Sequence, residues 1–255
     1  MKLHQTLLAI LVSILCITPV LSETIEEFRE KAEKGNVKAQ YLLGFVYDKG
    51  EVVPEDKAEA VKWFRKAADQ GYARAQFILG LAYYSGEGVP EDIAEAVKWF
   101  RKAADQGYAK AQFNLGIFYD NGEGVPEDIA EAVKWYRKAA DQGHAKAQFN
   151  LGVVYDKGEG VPEDKAEAVK WFRKAADQGY AGAQSMLGIA YSNGLGVPEN
   201  YIQAYMWYNL ASAQGFEGAK TTKFKLTQKM TKEQIAEAQK LSTQWFERKA
   251  KEKKK

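Results

Sequence analysis

Ala111-Gln-Phe-Asn-Leu-Gly-Ile-Phe-Tyr119, then Asn121-Gly-Glu-Gly-Val-Pro126, then Asp128-Ile-Ala-Glu-Ala-Val-Lys-Trp-Tyr136 form most of a unit that returns every 36 residues. Its opening, Ala-Gln-x-x-Leu-Gly, also starts at Ala39, Ala75, Ala147 and Ala183. Proline keeps the interval at Pro54, Pro90, Pro126, Pro162 and Pro198, and tryptophan at Trp63, Trp99, Trp135, Trp171 and Trp207. A fixed period of this size marks a stacked array, in which each unit buries its apolar face against its neighbours. Such arrays offer a long surface to a partner and seldom enclose a catalytic pocket.

Two helices fit in each unit. In the first, Ala111, Leu115, Gly116 and Tyr119 fall on one face at helical spacing. Glycine inside a helix costs about 1 kcal/mol relative to alanine, so Gly116 predicts a close helix contact, with Trp135 as the bulky partner. Turn residues from Asn121 to Pro126 end this helix. Asp128 and Glu131 open the second with capping-box spacing, repeated as Asp56/Glu59, Asp92/Glu95 and Asp164/Glu167. In the fifth unit the pair becomes Asn200/Gln203, amides of the same shape, which favours capping over acid catalysis. Ala132, Trp135, Tyr136, Ala139 and Ala140 then make a stripe of small and large residues suited to antiparallel packing. A buried tryptophan removes about 150–250 Å² from water, an upper bound of roughly 4–6 kcal/mol. Gly143 is expected to end the helix in the left-handed conformation, as are Gly35, Gly71, Gly107, Gly179 and Gly215.

The full pattern, A-Q-x-x-L-G-x-x-Y-x-x-G-x-G-V-P followed by A-x-x-W-[FY]-x-x-A-A-x-Q-G, strongly resembles the Sel-1-like repeat (SLR) family, relatives of tetratricopeptide repeats. The resemblance covers Ala39–Gly218 as units 39–74, 75–110, 111–146, 147–182 and 183–218. It implies an all-α fold of helix–turn–helix units stacked as a right-handed superhelical α-solenoid. Family members act as adaptors or scaffolds, many of them in bacterial envelopes. Val52 departs from the pattern by replacing a loop glycine. The fifth unit departs by carrying Tyr201, Tyr205, Met206, Tyr208, Asn209 and Leu210 on its second helix. An apolar terminal unit calls for a cover. Residues 219–255 supply one, with Thr231/Gln234 as a cap and Ile235, Ala238, Leu241, Trp245 and Phe246 as an apolar stripe. Residues 23–38 read as an N-terminal capping half-repeat, with Phe28 and Ala32 facing the first unit.

Residues 1–22 read as a secretory signal peptide: Lys2, an apolar run from Leu7 to Leu21, and Val20-Leu-Ser22 before the cut. That run is shorter than the roughly 20 residues of a spanning helix, so no integral membrane span is expected after cleavage. Cys16, the only cysteine, leaves with it. The mature chain is thus expected to lack disulfides, thiol nucleophiles and thiolate metal sites, and to be periplasmic or secreted. Net charge is asymmetric. Residues 23–219 hold 23 Lys/Arg against 30 Asp/Glu, and residues 220–255 hold 12 against 4. The Lys-rich C-terminus is a candidate for weak contact with an acidic surface, although a solvated terminal helix with a frayed Lys-rich end accounts for it more simply.

No catalytic constellation is visible. His144 stands in the column of Tyr72, Tyr108, Tyr180 and Phe216, which makes it a loop-packing residue. Asp120-Asn-Gly-Glu-Gly124 lacks most of a calcium ligand set and reads as a turn. No cofactor is expected, and the buried aromatics with an acidic array argue against nucleic acid. Cysteine-rich members of the SLR family are associated with β-lactam binding or hydrolysis, but this chain lacks their cysteine pairs. The expected function is therefore protein or peptide binding. A cell-wall-active enzyme and a virulence factor for a host protein are the alternatives.

Columns that vary between units are not fixed by repeat geometry and are the candidates for partner contact. These are Leu42/Ile78/Asn114/Asn150/Met186, Val46/Ala82/Phe118/Val154/Ala190 and Lys49/Ser85/Asn121/Lys157/Asn193. Their spacing of four and three puts them on one stripe. Asn114 and Asn150 are expected to form an amide ladder for an extended peptide backbone, with Phe118 and Tyr84 as apolar contacts beside it. Asn121, Lys157 and Met186 complete the candidate set.

Overall fold

The computed structural model describes residues 25–51 and 53–252. The signal-peptide reading of 1–22, Thr24 of the N-terminal cap, the Val52 departure and the tail end 253–255 lie outside them. The described residues form thirteen helices and no strand. They are α1 (Ile25–Glu33), α2 (Val37–Lys49), α3 (Lys57–Asp69), α4 (Ala73–Ser85), α5 (Ile93–Asp105), α6 (Ala109–Asn121) and α7 (Ile129–Asp141). There follow α8 (Ala145–Lys157), α9 (Lys165–Asp177), α10 (Ala181–Asn193), α11 (Tyr201–Ala213), α12 (Glu217–Thr227) and α13 (Lys232–Glu252). Even-numbered helices from α2 to α10 carry the Ala-Gln motif and are called A helices. Odd-numbered helices from α3 to α11 carry the tryptophan and are called B helices. The chain is an all-α repeat solenoid.

Each B helix is capped by its aspartate, with the Glu131 amide donating to Asp128 Oδ1 at 2.9 Å and Glu59 to Asp56 at 2.8 Å. Asn200 does the same for Gln203 at 3.0 Å. The reciprocal arm expected of a capping box is not made. The Asp128 amide instead donates to the Tyr119 carbonyl at 2.9 Å, so the Glu131 carboxylate turns to Lys134 at 2.8 Å. Tyr119 is thereby used twice, because its hydroxyl also accepts from Arg101 of the preceding unit.

The partner of the helical glycine also differs from expectation. A Cβ on Gly116 would lie 2.6 Å from Cδ1 and Cε1 of Tyr136, not against Trp135. Phe64, Phe100, Phe172 and Tyr208 play the same part for Gly44, Gly80, Gly152 and Gly188. Trp135 turns the other way, into a cluster that joins Ala96, Val97 and Phe100 of the preceding unit to Ala111, Leu115 and Phe118 of its own α6. Successive residues on a helix point about 100° apart, so one aromatic closes the unit and its neighbour joins units. The Lys138 ammonium lies 3.7 Å from the Trp135 ring centroid, and the indole N–H is buried without an acceptor.

An amide relay, buried at its A-helix end, adds a second link between units. Gln112 donates to the Ala104 carbonyl at 3.1 Å and accepts from Gln142 at 2.7 Å. Gln142 also donates to the Gly107 carbonyl at 2.9 Å. The pairs Gln40/Gln70, Gln76/Gln106, Gln148/Gln178 and Gln184/Gln214 repeat the bond at 2.7–2.8 Å. Three chain segments are joined by one amide whose groups are satisfied, which is why a polar side chain is tolerated there.

At the N-terminal end, α1 acts as a B-type half-unit, with Ala32 buried beside Leu43 and Trp63. At the other end, α12 continues the A series. Phe224 stands 36 residues after Gly188 and is 69 % exposed. The array stops there because a bulky ring occupies the position where a following B helix needs glycine. Instead, α13 opens on a complete capping box, Thr231 with Gln234, and covers α11. Ala238 packs with Tyr205, Tyr208 and Leu226, while Leu241 and Trp245 reach Met206, Trp207 and Leu210. Phe246 does not join this stripe, being 41 % exposed and set edge-on to Trp245.

Candidate functional site

The A helices bury Ala111, Gln112, Leu115, Gly116 and their equivalents, which leaves the opposite side of each helix free. Asn114, Asn150 and Met186 lie there half-buried, and Asn121 and Lys157 are exposed at the C-terminal turns. Lys157 pairs loosely with Glu159 at 3.4 Å. Tyr84 is 43 % exposed. The three columns therefore share a region, with one exception.

Phe118 is not a surface residue. It is 4 % exposed, stacked on Phe100 with centroids 5.5 Å apart and edge-on to Tyr84 at 5.6 Å. Ala82, Val154 and Ala190 of its column are buried as well. This column varies because it seals the seam between adjacent units, where side-chain size is adjusted to the neighbour across the seam. Phe118 thus supports Tyr84 from below and offers no contact of its own.

One apolar column escaped the sequence reading: Phe45, Leu81, Ile117, Val153 and Ile189. Uniformly apolar residues read as core, yet Leu81 is 36 % exposed and the others are half-buried on the free face. Their place three residues after the Asn114 column was the available signal.

At the centre of the array, α6, α7 and α8 bring polar groups together. The Tyr136 hydroxyl donates to Asp120 Oδ2 at 3.0 Å, and the Asn150 side chain approaches the Tyr136 oxygen. Burial, with the Asp120 charge next, pushes the Tyr136 phenol well above its ordinary range, so it stays a neutral donor. The equivalent aspartates are neutralised differently. Asp48 receives Lys57 at 2.9 Å and Asp156 receives Lys165 at 3.2 Å. Burial works against ionisation of Asp48, but hydrogen bonds from Lys49 and Lys57 outweigh it and hold its carboxyl below the usual value. Asn114 makes no hydrogen bond among the described residues.

His144 caps α8, its Nδ1 accepting the Ala147 amide at 3.3 Å, and its ring lies 4.7 Å from that of Phe113. Burial, then Lys146 and Lys110, hold its pKa below 6.5. These contacts are those of a packing and capping residue. Among the described residues, no group of three His, Cys, Asp or Glu side chains is placed to hold a metal ion. No helix among them is long and apolar enough to cross a membrane.

Paired helices with a fixed inter-unit relay and one free helical face define a helical-repeat scaffold. The Sel1 repeat family model matches residues 37–72, 73–108, 109–144, 145–180 and 181–216, and the chain belongs to that family. Each match starts at or beside the first residue of an A helix. A Sel1 repeat protein from Oxalobacter formigenes is 40 % identical, with a TM-score of 0.68 over 71 % of this chain and 74 % of that one. The chain is also similar to c5321, described as a protective antigen of uropathogenic Escherichia coli strains with an SLR fold. That match is 30 % identical, with a TM-score of 0.46 over 88 % of this chain and 63 % of the other. A comparison with curated proteins finds no match. Sel1-repeat proteins are generally protein-interaction scaffolds and typically not catalysts.

Proposed function

We propose that this chain is an exported adaptor that binds an extended segment of a partner protein across the free face of its A helices. One observation carries the reading: that face combines exposed apolar side chains, Leu81 and Tyr84 of α4, with the free side-chain amide of Asn114 on the next A helix. Apolar contact supplies affinity there, and amides can donate to and accept from a peptide backbone at once. Asn150 takes part from the neighbouring A helix, next to the Tyr136 hydroxyl that its side chain approaches. Export rests on the N-terminal sequence alone.

The test begins with a photo-crosslinking residue at Asn121 to identify the partner in the native envelope fraction. The purified partner is then titrated against wild type and an Asn114→Ala/Asn150→Ala variant. Weaker binding with unchanged circular dichroism is the expected result. Equal affinity would discard the amide ladder. Mass spectrometry of the protein recovered from that fraction should show residues 1–22 removed, and their retention would refute export. Turnover of a chromogenic β-lactam by the purified mature protein would replace binding with catalysis.

A further inference from the structure

The A-helix column Asp48/Tyr84/Asp120/Asp156/Ser192 faces the B-helix column Lys57/Ile93/Ile129/Lys165/Tyr201 within each unit. In the first and fourth units aspartate and lysine occur together and form an ion pair. In the second and fifth neither is present. Only the third unit breaks the match, pairing Asp120 with Ile129. Its carboxylate accepts from the Tyr136 hydroxyl and has no lysine or arginine within ion-pair distance among the described residues. The tyrosine recurs only in the fifth unit, as Tyr208 beside the uncharged Ser192, while units one, two and four carry Phe64, Phe100 and Phe172; opposite an aspartate it stands in the third unit alone.

A hydroxyl orients the carboxylate by one oxygen and leaves its charge uncompensated. The group is half-buried near the C-terminal end of α6, and the hydroxyl that orients it is also approached by Asn150 of α8. A half-buried carboxylate without a cation attracts one, and a guanidinium satisfies it best because its planar fork matches both oxygens. Of the lysines on the same face, Lys110 and Lys146 sit near the opposite ends of their helices, about 15 Å away at 1.5 Å per residue, and Lys157, at the same end as Asp120, pairs with Glu159 at 3.4 Å and not with Asp120. They do not fill the site.

We propose that Asp120, held by Tyr136, is the specificity position of the face and receives an arginine side chain of the bound segment. This deepens the peptide-binding reading above and rests on it. A free side-chain amide at Asn114 and a cation site at Asp120 together select an extended segment with a central basic residue.

The test uses 15N-labelled mature protein and an acetylated Ser/Ala decapeptide with one central Arg, beside its citrulline and Glu counterparts. The Arg peptide should shift the Asn114 and Asn150 side-chain amide resonances and bind roughly tenfold more tightly than the other two. Asp120→Asn should remove that preference. Ile129→Lys should remove it too, by supplying the lysine that Lys57 and Lys165 provide in their units, in a column where the fold already accepts it. Asp48→Asn should leave it unchanged. If all three peptides shift the face equally, or if Asp120→Asn keeps the Arg preference, the arginine site is wrong while peptide binding stands. If none of the peptides perturbs the A helices, both are wrong.

Discussion

Replacing Gly152 with alanine sets two well-known effects against each other at one atom. Within α8, alanine is favoured over glycine by about 1 kcal/mol on backbone propensity alone. The new Cβ, however, would lie 2.6 Å from both Cδ1 and Cε1 of Phe172 and 3.1 Å from its Cγ. Carbon atoms prefer about 3.5–4.0 Å, so the ring must retreat by roughly 1 Å. It cannot do so freely. Phe172 is buried and packed against the Phe149 ring, centroids 5.8 Å apart. Overpacking of this kind costs about 1–3 kcal/mol, and a contact this short belongs at the upper end. The net expectation is a loss of about 1–2 kcal/mol. Gly182→Ala provides the control. It gains the same backbone term, its Cβ would meet the Tyr180 ring edge at 3.1 Å and the Phe149 ring at an ordinary 3.4 Å, and its column holds Lys38, Arg74, Lys110 and Lys146 in the other units. It should stabilise by up to about 1 kcal/mol. Urea unfolding followed by both tryptophan fluorescence and circular dichroism measures the midpoint shift, and coincident transitions check that the array unfolds as one unit. Finding Gly152→Ala as stable as Gly182→Ala would refute the packing argument for the whole glycine column.

The missing arm of the capping box separates two neighbouring acids. Asp128→Ala removes the acceptor for the Glu131 amide and should cost about 1 kcal/mol, while Glu131→Ala loses only an exposed pair with Lys134 and should cost under about 0.5 kcal/mol; equal losses in urea midpoints would restore the reciprocal box. His144 gives a pH dependence of defined sign. Its folded pKa lies below the unfolded value of 6.5, so the unfolded chain takes up the proton first as pH falls. Its contribution is complete above the unfolded pKa and is lost as pH drops through the folded one. Protonation also removes the Nδ1 acceptor for the Ala147 amide. Thermal melts from about pH 7.5 down to pH 5 should show a larger fall in Tm for wild type than for His144→Tyr, which restores the residue of Tyr108 and Tyr180; parallel profiles would assign the fall to other groups.

The repeat made the helices, caps and terminal covers legible, because each depends on residues close in sequence. What escaped depended on direction across the stack. Trp135 and Tyr136 are adjacent, and periodicity cannot say which of them closes on the A-helix glycine and which reaches the preceding unit. The reciprocal cap failed because the Asp128 amide was already bound by Tyr119, on a different helix. Variation between units singles out Asn114 and Asn150, and it passes over the amide relay of Gln112 and Gln142, whose residues are the same in every unit. Phe118 shows the same limit from the other side, since variation there adjusts a seam and does not mark a free surface.

Departures from the repeat therefore fall into two kinds, and only one can report on function. In the first kind, another part of the chain compensates. Tyr84 accompanies Phe118 and meets it edge-on. Tyr205, Met206 and Leu210 accompany α13, which covers them. Phe224 accompanies the end of the array. Asn200 and Gln203 change together and keep the cap. Each of these pairs is internally closed, so stability alone accounts for it. Asp120 is of the second kind. Its column predicts a lysine at position 129, where the chain has isoleucine, and the tyrosine substituted opposite it supplies a hydrogen bond but no charge. Stability would be served as well by the Phe/Ile arrangement of Phe100 and Ile93 without the aspartate. A carboxylate that costs desolvation and has no counter-ion inside the chain is accounted for by a counter-ion that arrives from outside it.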